Sequence, residues 1–380
     1  MNGSKAMTNN ETYCNLKDFE LSCINVHLYL SLMVCIFGSV ANVLNICVLT
    51  TKNMRIPTNF ILTGLAVADL LVMLEYLPFA LSVYLHPILQ KPENFTKAKA
   101  YFLYFHAVFS QICHFISCCL TVLLAVWRYI AIKHPQENKV LCSAGRTKFA
   151  IAMSYILCPL VCTPVIINLT IQSLPKGIDT NGNLIPYNMI NITEAVRNTT
   201  IYTVAVKDKY WQLNMLFYSV IIKLLPCVFL TVLSTFLIKA ILNAKNRYKD
   251  LCKSSGMPLV NGETKKQRNL EKEQQADRTT RMLLAVLLLF LLTEFPQAIL
   301  GAVAIILGNG FLVSCYKPLG HLMDMAALTN SAINFILYCT MSQQFRAAFS
   351  EVFLPKCIKD RNAKREATTE NSKTGKISVV

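Results

Sequence analysis

Ionisable side chains stand inside otherwise apolar stretches of this sequence: Asp69, Glu75, His106, His114, Lys223, Glu294 and Asp324. A charge surrounded by hydrocarbon is costly. Such a residue persists by pairing with another, by holding an ion, or by facing a cavity that receives a charged ligand. A desolvated carboxylate can grip a guanidinium through two parallel hydrogen bonds. A carboxylate flanked by hydroxyl and amide oxygens suits a hard cation. Lys223 and Glu294 carry opposite charge and can also neutralise each other. His106 and His114 are more often satisfied pocket or core histidines than metal ligands. Gln111 and Gln297 add amide donors and acceptors to the set.

The elements that must position these residues follow from composition. With 54% hydrophobic and 15% charged residues, the chain is too apolar for a soluble protein of this length, so its solvent is lipid. A spanning helix needs about 20 mainly apolar residues. Seven such runs are expected, near Val26–Thr50, Asn59–Leu85, Ala100–Lys133, Lys148–Leu169, Tyr210–Ala244, Arg278–Leu307 and Ser314–Cys339. The fold class is therefore an all-α membrane bundle of seven helices. An interfacial eighth helix is expected over Ser342–Phe353, with Phe345, Phe349 and Phe353 on one face and Arg346 off it. Pro226 and Pro296 are expected to kink their spans, because proline lacks a backbone donor. No internal repeat is visible, which counts against a transporter built from two related halves.

The formal charge of +16 does not indicate nucleic acid, because the basic residues avoid the spans and gather in alternate connections and the tail. Those connections hold Lys52 and Arg55, then Lys133 to Lys148, then Lys245 to Arg281, and should be cytoplasmic. Every N-x-S/T sequon, at Asn2, Asn10, Asn94, Asn168, Asn191 and Asn198, falls on the other side, as candidate glycan acceptors should. The N-terminus is thus expected outside and the C-terminus inside, at the plasma membrane. The polar opening MNGSKAMTNNETYCNL does not read as a cleaved signal peptide. The expected parts are an outer N-terminus (1–25), the bundle (26–340), an interfacial helix and anchor (341–357), and a disordered cytoplasmic tail (358–380). Tyr248–Gln275 reads as a polar loop with helical extensions at both ends, and Ile171–Asp208 as a long outer connection.

Most cysteines, such as Cys35, Cys47, Cys118, Cys119, Cys158 and Cys162, lie in apolar runs as small fillers, and no C-x-x-C pair suggests zinc. Cys14, Cys23 and Cys315 fall outside. A bridge from Cys315 to Cys14 or Cys23 would tether the N-terminus over the bundle. A local Cys14–Cys23 loop or free thiols are the alternatives.

The neighbourhoods of the polar residues are specific as a set. The second span reads LAVADLL around Asp69, the third ends in AVWRYIAI around Arg128, the sixth reads FLLTEFP, and the seventh reads NSAINFILY with Phe345-Arg346 beyond it. In this order, from Asn42 to Arg346, the chain resembles the rhodopsin-like (class A) G-protein-coupled receptors. WRYIAIKHPQ, RTTRMLLAVLLLFLLTEFPQ and NSAINFILYC are similar to the invertebrate myosuppressin, FMRFamide-type and sex-peptide receptor branch.

That resemblance implies several roles. Asp69, Ser117, Asn330, Ser331 and Asn334 match a polar set that holds an allosteric sodium ion, although a water-bridged network would use the same residues. No other cofactor is implied. Trp127, Arg128, Tyr129, Phe290, Pro296, Asn334 and Tyr338 match the activation and G-protein-coupling set. Trp127 replaces the acid that usually precedes Arg128. Ala276 stands where the sixth span usually supplies a partner acid, which leaves Asp277 as a substitute. Glu294 replaces the tryptophan of the CWxP pattern, and Phe335 the proline of NPxxY. Raised basal signalling is the expected consequence. The usual disulfide to the second outer loop is absent, since Leu103 occupies its position on the third span.

Leu328 in place of a Schiff-base lysine excludes an opsin, and Ser110 in place of a carboxylate excludes an amine receptor. The resemblance implies an amidated neuropeptide ending in Arg-Phe-amide. The candidate ligand set is Glu75, His106, Gln111, His114, Lys223, Glu294, Gln297 and Asp324, with Glu294 or Glu75 as the expected arginine partner and Gln111 and Gln297 placed for the amide. The chain would have no enzymatic site. Its partners would be a heterotrimeric G protein, of the inhibitory class, and arrestin at tail phosphosites. Cys357 is a palmitoylation candidate and Ser378-Val379-Val380 a PDZ ligand. The rival readings are a constitutively active or differently liganded receptor and, less favoured, a transporter.

Overall fold

The computed structural model describes residues 13–84, 92–178, 184, 197–207, 210–254 and 263–353, with only the backbone described for 244–254 and 263–283. Its helices are α1 (Lys17–Leu49), α2 (Pro57–Tyr84), α3 (Lys97–Lys133), the short α4 (Pro135–Leu141) and α5 (Ala144–Asn168). A hairpin of β1 (Leu169–Ile178) and β2 (Arg197–Val206) follows. Then come α6 (Trp211–Leu216), a π-helix (Phe217–Leu224), α7 (Leu225–Ser254), α8 (Glu263–Leu307), α9 (Asn309–Phe311), a second π-helix (Leu312–Tyr316), α10 (Lys317–Met341) and α11 (Gln343–Phe353). Among the described residues, seven helical stretches are long and apolar enough to cross a bilayer, from Val26–Leu49 to Asn309–Met341. Helices are the open-ended solution to that solvent, since each satisfies its own backbone groups.

The third crossing, α3, is central. It packs on α2, α5, α7 and α8, and its inner half supplies Phe115, Ile116, Leu120 and Leu124 to the core. α5 is the most peripheral crossing, which fits its small buried share. α11 lays Phe345 and Phe349 against the bundle, and Phe335 of α10 meets both rings at 6.0 and 5.9 Å. The aromatic in place of proline thus ties the seventh crossing to α11.

Several boundaries differ from the sequence reading. The first crossing runs over Val26–Leu49 as expected, but α1 begins earlier, at Lys17, so part of the expected N-terminal segment continues the helix. The seventh crossing begins at Asn309 rather than Ser314. The helical extensions expected at both ends of Tyr248–Gln275 are present, and they run through Ser254 and again from Glu263. The connection between the fourth and fifth crossings contains a hairpin the sequence reading did not anticipate, in register from Leu169↔Val206 to Ile178↔Arg197. β2 packs on α3, Ile201 is buried, and Lys207 N–H donates to Asn168 O at 2.9 Å. Packing and backbone bonds hold the hairpin where a loop disulfide was missing.

Proline acts differently from a simple kink in the fifth crossing. Pro226 is the second residue of α7, directly after the π-helix. Wider turns ahead of a proline accommodate the lost donor and shift the helical register. That shift buries Ser219, Ile222 and Lys223 together. Pro296 lies inside α8, as Pro78 lies inside α2 and Pro159 and Pro164 inside α5.

Candidate ligand-binding site

A cavity of about 290 Å³ opens among α2, α3, the first π-helix, α8 and α10, toward the end of the bundle that carries the hairpin. Tyr76, His106, Gln111, His114, Lys223 and Asp324 supply its polar lining. Helical spacing explains the grouping: His106, Gln111 and His114 lie along one face of α3.

The floor is a hydrogen-bonded network that leaves Glu294 Oε1 without a partner among the described residues. Lys223 Nζ donates to Gln297 Oε1 at 2.6 Å and to Glu294 Oε2 at 2.8 Å, and lies 3.0 Å from His114 Nε2. His114 Nε2 is 2.9 Å from the same Glu294 oxygen. One nitrogen cannot donate to the carboxylate and accept from the ammonium together, so the imidazole tautomer selects one of these bonds. Gln297 Nε2 donates to Tyr218 Oη at 3.1 Å. Glu294 is 1% exposed and Lys223 4%, and the pair is therefore internal. Of the two arrangements the sequence allows for Glu294, a ligand contact or an internal pair with Lys223, the structure holds the internal pair, and Gln297 is bonded to the same Lys223. An unpaired charge so deep would cost far more than a neutralised one.

One wall is also occupied. His106 Nδ1–H meets both Glu75 oxygens, at 2.7 and 2.9 Å, and its ring stacks on Phe79 at 3.5 Å between centroids. Glu75 is thus engaged as well. Behind it, His27 Nδ1–H donates to His321 O at 3.1 Å, and Tyr76 Oη–H donates to His27 Nε2 at 2.8 Å. Asp324 is different. It faces the cavity, is exposed to it, and makes no hydrogen bond or ion pair among the described residues. Gln111 Nε2 is a buried donor without a partner. The cavity therefore presents an unpaired anion and an unpaired amide donor above a neutralised floor.

Nearer the middle of the bundle, Asp69 accepts from Ser117 Oγ at 3.1 Å and from Asn334 Nδ2 at 3.2 Å, with Ser331 against the same carboxylate. Asn330 is buried one turn away and makes no bond to Asp69. Asn334 Oδ1 is a buried acceptor without a partner. A carboxylate, hydroxyls and an unclaimed amide oxygen fit a hard monovalent cation, and Asp69, Ser117, Ser331 and Asn334 would hold it.

At the other end of the bundle, Trp127 Nε1 donates to Thr147 Oγ1 at 2.9 Å, turning away from Arg128. Arg128 makes no ion pair among the described residues, its Nε lacks a partner, and it lines a small space with Tyr338, which packs on Phe345 at 5.5 Å. Tyr129 accepts from Lys133 Nζ at 2.7 Å, and Phe290 is buried in the core. The side chain of Asp277 lies outside the described residues.

Cys14 is bonded to Cys315 and Cys23 is free. Of the sequons, Asn198 is exposed on β2 and Asn94 is half-buried, accepting from Lys99 Nζ at 2.8 Å. Asn168 is buried where α5 ends, so its amide is not presented as a glycan acceptor must be, a correction to the sequence reading. Asn2, Asn10, Asn191, Cys357 and Ser378–Val380 lie outside the described residues. Sequence reasoning overlooked His27, Tyr76 and Tyr218. His27 could have been found as another ionisable residue within the first apolar run, whereas tyrosines in spans carry no such signal.

A seven-helix membrane bundle with a polar cavity at one end, a polar cluster in its middle, and at the other end an arginine with no ion pair among the described residues, has the plan of a receptor. The chain belongs to the serpentine-type seven-transmembrane G-protein-coupled receptors: the family model "Serpentine type 7TM GPCR chemoreceptor Srw" matches residues 29–356. It is a receptor and not an enzyme. It is similar to the G-protein coupled receptor dmsr-1 of Caenorhabditis elegans, with 29% identity over 87% of this chain and 68% of that protein. It is also similar to the sex peptide receptor of Drosophila melanogaster, with 29% identity over 96% of this chain and 80% of the relative. The human thyrotropin-releasing hormone receptor is 27% identical over 86% and 77% of the two chains.

Proposed function

We propose that the protein is a receptor for an amidated neuropeptide of Arg-Phe-amide type, FMRFamide-like or myosuppressin-like, acting through a heterotrimeric G protein of the inhibitory class. The observation that carries this reading is the unpaired pair of groups in the cavity. Asp324 is an anion suited to a guanidinium, and Gln111 Nε2 is a donor suited to an amide carbonyl. Phe79 and Val72 supply apolar surface nearby for a terminal aromatic ring. The sex peptide and thyrotropin-releasing hormone receptors are relatives whose names specify peptide ligands, which supports the class. The cavity faces outside in this reading, with glycans at accessible sequons, a palmitoyl anchor at Cys357, a sodium ion at Asp69, and arrestin and a PDZ domain at the tail.

The test is a cell-based G-protein activation screen of amidated peptides on wild type and Asp324→Asn. Losing one partner of a desolvated charge pair costs about 2–5 kcal/mol, so potency should fall roughly 30-fold or more. A peptide with citrulline for arginine should be weak on wild type and lose little further on the variant. Equal potency of the arginine peptide on both receptors would remove Asp324 from ligand contact. Failure of every amidated peptide would favour the second reading, a constitutively active or differently liganded receptor, which an Arg128 without an ion pair among the described residues supports.

A further inference from the structure

At the end of the bundle away from the ligand cavity, a crevice of about 210 Å³ lies between the ends of α3 and α7. Tyr129 and Lys133 of α3 form one side, and Phe236, Lys239 and Asn243 of α7 the other. Both lysines are exposed, and neither meets a carboxylate among the described residues. Lys133 Nζ lies 2.7 Å from Tyr129 Oη and 5.3 Å from the centre of that ring, which fixes its position without neutralising it. Two ammonium groups therefore converge on one polar recess, with a phenol and an amide between them.

The recess opens sideways, toward lipid. Phe236 is 48% exposed, and Val232 and Phe229 continue from it as an exposed apolar stripe along α7 at three- and four-residue spacing. A residue so exposed on a spanning helix faces hydrocarbon. The surface thus combines a cationic recess at the level where spans end with an apolar track leading from it toward the middle of the bilayer.

We propose that this crevice is a binding site for an anionic glycerophospholipid, its phosphate headgroup between Lys133 and Lys239 and an acyl chain along Phe236, Val232 and Phe229. Charge complementarity selects an anion, and the stripe selects one that carries its own hydrocarbon. Asn243 and the Tyr129 hydroxyl can donate to headgroup oxygens that the lysines leave free. The inference does not depend on which ligand the receptor recognises.

The full-length receptor in phosphatidylcholine nanodiscs doped with phosphatidylinositol bisphosphate provides the test, with retained lipid read by native mass spectrometry. Each lysine near a membrane surface contributes about five-fold to anionic lipid attraction, so Lys133→Gln with Lys239→Gln should weaken retention by roughly 25-fold. Lys133→Arg with Lys239→Arg should retain the lipid, and Phe236→Ser should weaken it without altering charge. Water-soluble inositol phosphates, lacking acyl chains, should fail to compete. Unchanged retention in the double glutamine variant would overturn the proposal. So would equal competition by the soluble headgroup, or a defect of the glutamine variant confined to G-protein binding, which would mark the crevice as partner surface.

Discussion

Asp324 and Glu294 carry the same functional group, yet Asp324 lines the cavity while Glu294 is buried beneath it. The difference lies in what faces them. Lys223, His114 and Gln297 close around Glu294, whereas Asp324 has no such partner. Removing one member of a buried pair strands the other, at about 3–5 kcal/mol, while replacing both with apolar residues of similar size is often neutral. Glu294→Gln and Lys223→Met should each lower the thermal stability of the purified receptor, and Lys223→Met with Glu294→Leu should recover most of it. Equal losses that simply add would show that the groups are not coupled. Trp127 bears on signalling instead. Because it bonds Thr147 and Arg128 has no ion pair among the described residues, Trp127→Asp should supply an adjacent anion and lower basal G-protein activity about 5-fold or more. A cell assay showing unchanged basal activity would remove this role.

At the level of elements, the seven crossings were legible because runs of apolar residues report the solvent directly. Their polar residues were legible for the same reason, since a charge in such a run stands out. Pairing was not. Lys223 reaches Glu294 through the π-helix ahead of Pro226, a change of register that hydropathy does not encode. The hairpin had a signal in the β-branched and aromatic run Thr199–Val206, but the masking effect of length made Ile171–Asp208 read as a loop. The register shift has a further steric consequence. A Cβ on Gly301 of α8 would overlap Ser219 Oγ of the π-helix and lie 2.7 Å from its Cβ. Gly301→Ala should therefore destabilise the fold by about 1–3 kcal/mol, the usual cost of overpacking. Adding Ser219→Gly, which removes both clashing atoms, should restore thermal stability. A double variant no better than Gly301→Ala would show that the contact is not the cause.

For the molecule as a whole, the bond from Cys14 to Cys315 joins the start of the described chain to the last crossing, across a sequence separation of 301. Tyr13 packs edge-on to Phe311 at 6.0 Å beside it. On the other side, Tyr316 follows Cys315 and lies against Tyr218 and Gln297, two members of the cavity network. The tether is thus continuous with the floor that holds Lys223. A soluble chain would lose about 2–5 kcal/mol with such a bridge, largely through unfolded-state freedom. Here the crossings restrict the unfolded state already, so the loss should lie at or below the lower end, about 2 kcal/mol. Cys14→Ser, Cys315→Ser and the double variant should share one phenotype, because either change breaks the same bond. At matched surface expression, all three should also respond to peptide with reduced potency, since the seventh crossing is freed beside the cavity. Two singles whose effects add in the double would mean that the cysteines act independently, and unchanged potency in all three would confine the bridge to stability.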